Sequence, residues 1–118
     1  MRIALDLFCG AGGASKGLLD AGFKRVIGVD NVEQKEYIRP KDFVCADAIK
    51  YVSYNELNEI DLIWASPPCQ QYSWGTIKWR NKGKQYPDLV GITRSALKKT
   101  GKPFVIENVV GAPLRKDL

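Results

Sequence analysis

Short apolar runs alternate with amphipathic stretches along this chain, the pattern of strand–helix–strand units that build a mostly parallel sheet. Residues 2–6 (Arg2-Ile3-Ala4-Leu5-Asp6) read as a first buried strand, 26–30 as a second and 42–45 as a third. Residues 61–65 read as a fourth and 103–107 as a fifth. A helix is predicted over 14–21, closed by Gly22 in the position that favours a left-handed residue. A short helix is expected around 54–58, before the fourth strand. The stretch 87–100 predicts a third: Pro87 in the first turn, Leu89, Val90, Ile92 and Leu97 as its apolar positions, and Lys98, Lys99 and Gly101 at its end. The expected fold is α/β, about five mostly parallel strands with flanking helices, in one unit spanning 1–118.

Residues 70–86 break this rhythm. Tyr72, Trp74, Trp79 and Tyr86 are interleaved with Lys78, Arg80, Lys82 and Lys84, with neither helical nor strand periodicity. A stretch so rich in aromatics is more than a connector. Charge sharpens the contrast. Residues 1–69 hold 8 Lys/Arg against 10 Asp/Glu, whereas 70–118 hold 10 against 3, so the second part suits a polyanion and the first does not.

The 118 residues make about one domain, and 45% are hydrophobic, enough for a core. No apolar run reaches the roughly 18–20 residues that span a bilayer. The three cysteines, Cys9, Cys45 and Cys69, form no metal-binding spacing, and they read as reduced thiols of a cytoplasmic protein. Histidine is absent, so catalysis must use carboxylates, a thiol, lysines or tyrosines.

Three constellations carry chemistry. The first is Asp6-Leu7-Phe8-Cys9-Gly10-Ala11-Gly12-Gly13, between a strand and a helix, where Gly10, Gly12 and Gly13 allow a tight turn that a ligand can approach closely. Such a turn by itself fits any strand-to-helix junction. Asp30 makes it more pointed: an acid at the end of strand two can accept the ribose hydroxyls of a nucleoside cofactor, and Asp47 stands similarly after strand three. The second is Ala65-Ser66-Pro67-Pro68-Cys69-Gln70, where two prolines stiffen the backbone before a thiol at the end of strand four. Near helix N-termini and a basic loop, that thiol could serve as a nucleophile. A single cysteine is more commonly an inert buried side chain, the reading given to Cys9 and Cys45. The third is Glu107, in Phe104-Val105-Ile106-Glu107-Asn108-Val109, an acid at the end of an apolar strand facing the same edge.

Together the three stretches resemble the cytosine carbon-5 DNA methyltransferase family, which opens with a D-L-F-C-G-A-G-G block, centres on P-P-C-Q and continues with E-N-V. Here these are residues 6–13, 67–70 and 107–109, in the same order. The resemblance implies a Rossmann-like sheet with S-adenosylmethionine at its carboxyl edge and methylation of DNA, as in restriction–modification. By resemblance Phe8 would contact the adenine, and Gly10, Ala11 and Gly12 would line the methionine moiety. Asp30 would hold the ribose, Asp47 the adenine amino group, and Asn31 and Pro67 would complete the cofactor contacts. Asn31 stands where many members carry an aromatic ring. Cys69 would be the nucleophile and Glu107 the residue gripping cytosine. Gln70, Ser73, Lys78, Arg80, Lys82 and Lys84 would meet nucleic acid, on a loop that closes over a flipped base.

The family continues with two further strands, an arginine motif, a target-recognition region and a final helix, none of them found in these residues. The sequence thus reads as a truncated catalytic portion that needs a complementary chain, or self-associates through the edge at 103–109. Two alternatives remain from the sequence: an RNA methyltransferase of the same superfamily, and a non-catalytic binding module.

Overall fold

In a computed structural model, residues 2–68 and 89–107 are described. Five strands form one all-parallel sheet: β1 (Ile3–Leu7), β2 (Arg25–Asp30), β3 (Phe43–Cys45), β4 (Leu62–Ala65) and β5 (Phe104–Ile106). Their spatial order is β3-β2-β1-β4-β5. The helices are α1 (Gly13–Asp20), α2 (Ala48–Tyr54) and α3 (Leu89–Thr100), with a 3₁₀ turn at Pro40–Asp42. The expected α/β architecture is the observed one.

All five residues of β1 are buried, as a central strand covered on both faces requires. Its side chains alternate between two cores. Ile3, Leu5 and Leu7 join Val29, Ile63 and Ala65 beneath Ala48 and Val52 of α2 and Leu97 of α3. Ala4 faces the other way and packs with Val26 and Leu18 of α1. The sheet is therefore wound on both sides, with α1 on one face and α2 and α3 on the other.

The chain runs outward from β1 to β2 and β3, then returns to place β4 on the other side of β1. The connections after β1 and β4 consequently diverge, opening a crevice at the carboxyl edge, the usual binding locus of such sheets. Gly22 takes the left-handed conformation expected of it, φ 112°, just beyond α1.

One helix expectation is corrected. The short helix lies at Ala48–Tyr54 instead of around 54–58. Asp47 starts it by accepting the Lys50 N–H at 2.9 Å, and the Asn55 side chain closes it by donating to the Tyr51 carbonyl at 2.9 Å. Ala48 and Val52, four residues apart, then share the buried face. The start of the third helix at Pro87 lies outside the described residues.

Candidate active site

The carboxyl edge is assembled by backbone hydrogen bonds that run past the strand ends. Cys9 N–H donates to the Val29 carbonyl at 3.1 Å, and Ser66 N–H to the Leu7 carbonyl at 3.2 Å. Glu107 N–H donates to the Ala65 carbonyl, and Ala46 N–H to the Asp30 carbonyl, each at 2.9 Å. These bonds set the glycine turn, the end of β2, the segment before Asp47, the Pro67 segment and Glu107 along one edge. The structure thereby gathers Phe8, Gly10, Ala11, Gly12, Asp30, Asn31, Asp47, Pro67 and Glu107 there. Cys69, Gln70, Ser73, Lys78, Arg80, Lys82 and Lys84 lie outside the described residues, as do Asn108 and Val109.

The turn after β1 alternates into the left-handed region at Phe8 (φ 58°), Gly10 (φ 55°) and Gly12 (φ 104°). For Phe8, which carries a Cβ, this conformation costs roughly 1–2 kcal/mol. Several ties hold it. Besides the Cys9 bond, Gly10 N–H donates to Asp30 Oδ2 at 2.9 Å and Gly12 N–H to the Cys9 carbonyl at 3.1 Å. Asp30 Oδ1 accepts the Val32 N–H at 3.1 Å. The Asp30 carboxylate thus braces the turn and the start of the next loop, so replacing it tests the turn as well as any ribose contact. Around Gly10 the edge is open: a Cβ there would meet nothing within 4 Å. Phe8 is half-buried against the main core, while Ala11, Asn31 and Asp47 are exposed.

The segment leading into Cys69 is braced on its described side. Ser66 Oγ accepts the Trp64 indole N–H at 3.1 Å, and Pro67 is buried.

Electrostatically the edge is acidic. Asp6, completely buried at the end of β1, accepts the Ser15 hydroxyl at 2.6 Å. Burial pushes its carboxyl up to about 6; Ser15 opposes the rise through its hydroxyl and backbone N–H, and the charges of Glu107 and Asp30 add to it. Its Oδ1 has no partner among the described residues. Cys9 is buried, and its thiol is pushed up to about 12 by burial and then by Asp6 and Asp30, which makes it the inert side chain expected. Cys45 differs from expectation. It is exposed, because β3 is a three-residue edge strand and Cys45 is its last residue.

Sequence reasoning missed a buried cluster behind the turn. Tyr37, only 2% exposed, reaches back from the β2–β3 connection to within 2.8 Å of Ser15 Oγ, and its hydroxyl lies 3.3 Å from the Val26 carbonyl. Its ring occupies space that a Cβ at Gly28 would fill, at 2.6 Å, and it crowds Gly12 at 3.1 Å. The available signal was Gly28 itself, a glycine within a strand, which marks a close approach.

The chain matches the C-5 cytosine-specific DNA methylase family over residues 3–116. It is 34% identical to the type II methyltransferase M.PspPI of Psychrobacter sp. (strain TA137), across 91% of this chain and 27% of that protein. It is 32% identical to the type II methyltransferase M.AgeI of Thalassovita gelatinovora, across 91% of this chain and 28% of that protein. With M.HgiGI of Herpetosiphon aurantiacus, also a type II methyltransferase, identity is 36% over 58% of this chain and 60% of the relative. The chain thus spans little more than a quarter of the first two relatives. The family match runs from β1 through the glycine turn, the Pro67 segment and Glu107, and the chain belongs to the C-5 cytosine-specific DNA methylase family.

Proposed function

We propose that the chain binds S-adenosylmethionine at its carboxyl edge and methylates carbon 5 of cytosine in DNA through Cys69 and Glu107. The observation that carries this reading is the edge itself: the glycine turn, Asp30, the Pro67 segment and Glu107 are tied together by hydrogen bonds. The fit to the cofactor is chemical. The methyl donor is cationic at sulfur, and the edge is acidic: half-buried Asp30 lies at Gly10, where the space is open, exposed Glu107 follows β5, and Asp6 is buried behind them. Phe8, Gly10, Ala11, Gly12, Asp30, Asn31, Asp47 and Pro67 are the residues assigned to hold it. Asp30 accepts a backbone N–H on each of its carboxylate oxygens and Asp47 on one, and each bonded oxygen keeps a second lone pair for a hydroxyl or amine.

Carbon 5 of cytosine is too weakly nucleophilic to be methylated unaided. The Cys69 thiolate adds to carbon 6, and the displaced electron pair develops on carbon 5. Glu107, hydrogen-bonded to ring nitrogen 3 and the exocyclic amine, stabilises the charge formed in the ring. When bound, S-adenosylmethionine supplies the electrophilic methyl group. Loss of the carbon-5 proton then restores the double bond and expels the Cys69 thiolate. A stacked base cannot present both faces to these groups, so the target is flipped out. Lys78, Arg80, Lys82 and Lys84 neutralise backbone phosphates, with Gln70 and Ser73 beside the base.

DNA is preferred as substrate because the family is defined by it. Since relatives extend far beyond the matched region, further segments, in this polypeptide or a complementary one, supply the arginine motif and target recognition. The β5 edge, where Val105 is 40% exposed and no further strand follows among the described residues, is the proposed pairing surface for such a segment or a second copy.

The test is trapping on duplex DNA containing 5-fluorocytosine, with transfer RNA in parallel. A covalent adduct should form on DNA and vanish in Cys69→Ser while persisting in Cys9→Ser and Cys45→Ser. An adduct surviving in Cys69→Ser removes the nucleophile; an adduct on transfer RNA alone removes the DNA assignment.

A further inference from the structure

The buried cluster behind the glycine turn has a chemistry that holding the fold does not require. Asp6 is a fully buried carboxylate with one oxygen bonded to Ser15 and the other without a partner among the described residues. The charges acting on it, Asp30 and Glu107, have its own sign. A buried acid in such surroundings is costly, and two residues support it in its charged form. Ser15, in the first turn of α1, gives its hydroxyl proton to Asp6 Oδ2 at 2.6 Å. That leaves Ser15 Oγ to accept from Tyr37, whose single phenolic proton is divided between Ser15 at 2.8 Å and the Val26 carbonyl at 3.3 Å. Gly28 and Gly12 make room for the Tyr37 ring that delivers this bond.

We propose that Asp6, oriented by Ser15 and Tyr37, makes the cofactor site charge-selective, its buried negative charge favouring the sulfonium donor over the neutral thioether that remains after transfer. This rests on the reading that the carboxyl edge takes S-adenosylmethionine. When the methyl group leaves, the electron pair of its bond to sulfur stays on sulfur, and the positive centre becomes neutral. The ammonium and carboxylate of the methionine portion are the same before and after. Donor and product therefore differ by one methyl group and one positive charge. Asp6 is buried, so it acts on that charge through its field, which low-dielectric surroundings transmit more strongly than water. Ser15 and Tyr37 are positioning residues: they keep the carboxylate ionised and fixed at the base of the turn.

The experiment is calorimetric titration of the full chain with S-adenosylmethionine, S-adenosylhomocysteine and adenosine, in wild type, Asp6→Asn, Ser15→Ala and Tyr37→Phe. The quantity read is the ratio of the homocysteine Kd to the methionine Kd. In Asp6→Asn this ratio should fall roughly five- to tenfold, the scale of one unit charge acting through protein, while adenosine affinity stays level. In Ser15→Ala the carboxylate loses the bond that favours its charge, so the ratio should fall at pH 6.5 and recover by pH 8.5. Asp6→Asn should show no such recovery. Tyr37→Phe should shift in the same direction as Ser15→Ala, by less. A merely structural role would weaken all three ligands alike and leave the ratio unchanged in every variant, which overturns the proposal. Absence of binding by any ligand in wild type instead overturns the cofactor reading beneath it.

Discussion

Replacing Gly28 by alanine adds one methyl group in the middle of β2, and that group has nowhere to go. An ideal Cβ there lies 2.6, 2.6 and 2.7 Å from three atoms of Tyr37, where ordinary contact begins at 3.4 Å. Relief requires the ring or the strand to move by about 1 Å, the kind of overpacking that costs roughly 1–3 kcal/mol. The ring cannot yield cheaply. Its hydroxyl is held by Ser15 and Val26, and its face packs against Phe43 with centroids 5.7 Å apart. A shift of that size breaks the 2.8 Å bond, adding about 1 kcal/mol, so a loss of about 2–4 kcal/mol is expected for Gly28→Ala. Urea unfolding reports it as a lower midpoint at unchanged slope. Gly17→Ala is the control. It lies within α1, with nothing within 4 Å of its Cβ position, and should stabilise by about 0.5–1 kcal/mol. A double-mutant cycle completes the test: in a Tyr37→Ala background, Gly28→Ala should cost close to nothing. An equal cost in both backgrounds would refute the steric argument.

Other expectations follow from the same geometry. In native protein at pH 8, iodoacetamide should modify exposed Cys45 and spare Cys9 until denaturant is added; equal rates by peptide mass mapping would contradict the raised Cys9 thiol. Asp47→Ala should cost about 1 kcal/mol in urea unfolding by removing the α2 cap, and Asp47→Asn should restore most of it. Because Asp6 titrates near 3.8 when unfolded and about 6 when folded, the folded state binds the extra proton between those values, and stability falls as pH rises through that window. Between pH 7 and 4 wild type should therefore gain about 2 kcal/mol relative to Asp6→Asn, and parallel pH profiles of the two would disprove the assignment.

The strands were legible because each is a short apolar run bounded by glycine, proline or polar residues, and such runs fill a sheet covered on both faces. The motif residues were legible because strand ends carry them to one edge. The second helix was displaced because Asp47 reads equally well as a ligand-holding acid and as a cap, and only the Lys50 bond decides that it starts α2. Tyr37 was invisible for a different reason. It lies in a polar stretch without periodicity, and its burial depends on Gly12 and Gly28, which are distant in sequence and bare of side chains. Cys45 ends an apolar run, which suggests an interior site; its exposure follows from β3 being an edge strand, a fact of topology.

The central place of β1 has a consequence for how the chain reaches this fold. β1 leaves the ribosome first among the strands, yet one of its two partners, β4, begins at Leu62. The Asp61 side chain that receives the Ile3 N–H at 2.9 Å is 58 residues downstream. Until β4 is in place, β1, the strand buried along its whole length, has one edge without its partner. Closing so long a loop is slow, and it is complete only when β4 slots in. A nascent chain is therefore most vulnerable to aggregation until β4 has emerged and docked, and synonymous codons that delay that emergence should lower the yield of folded protein.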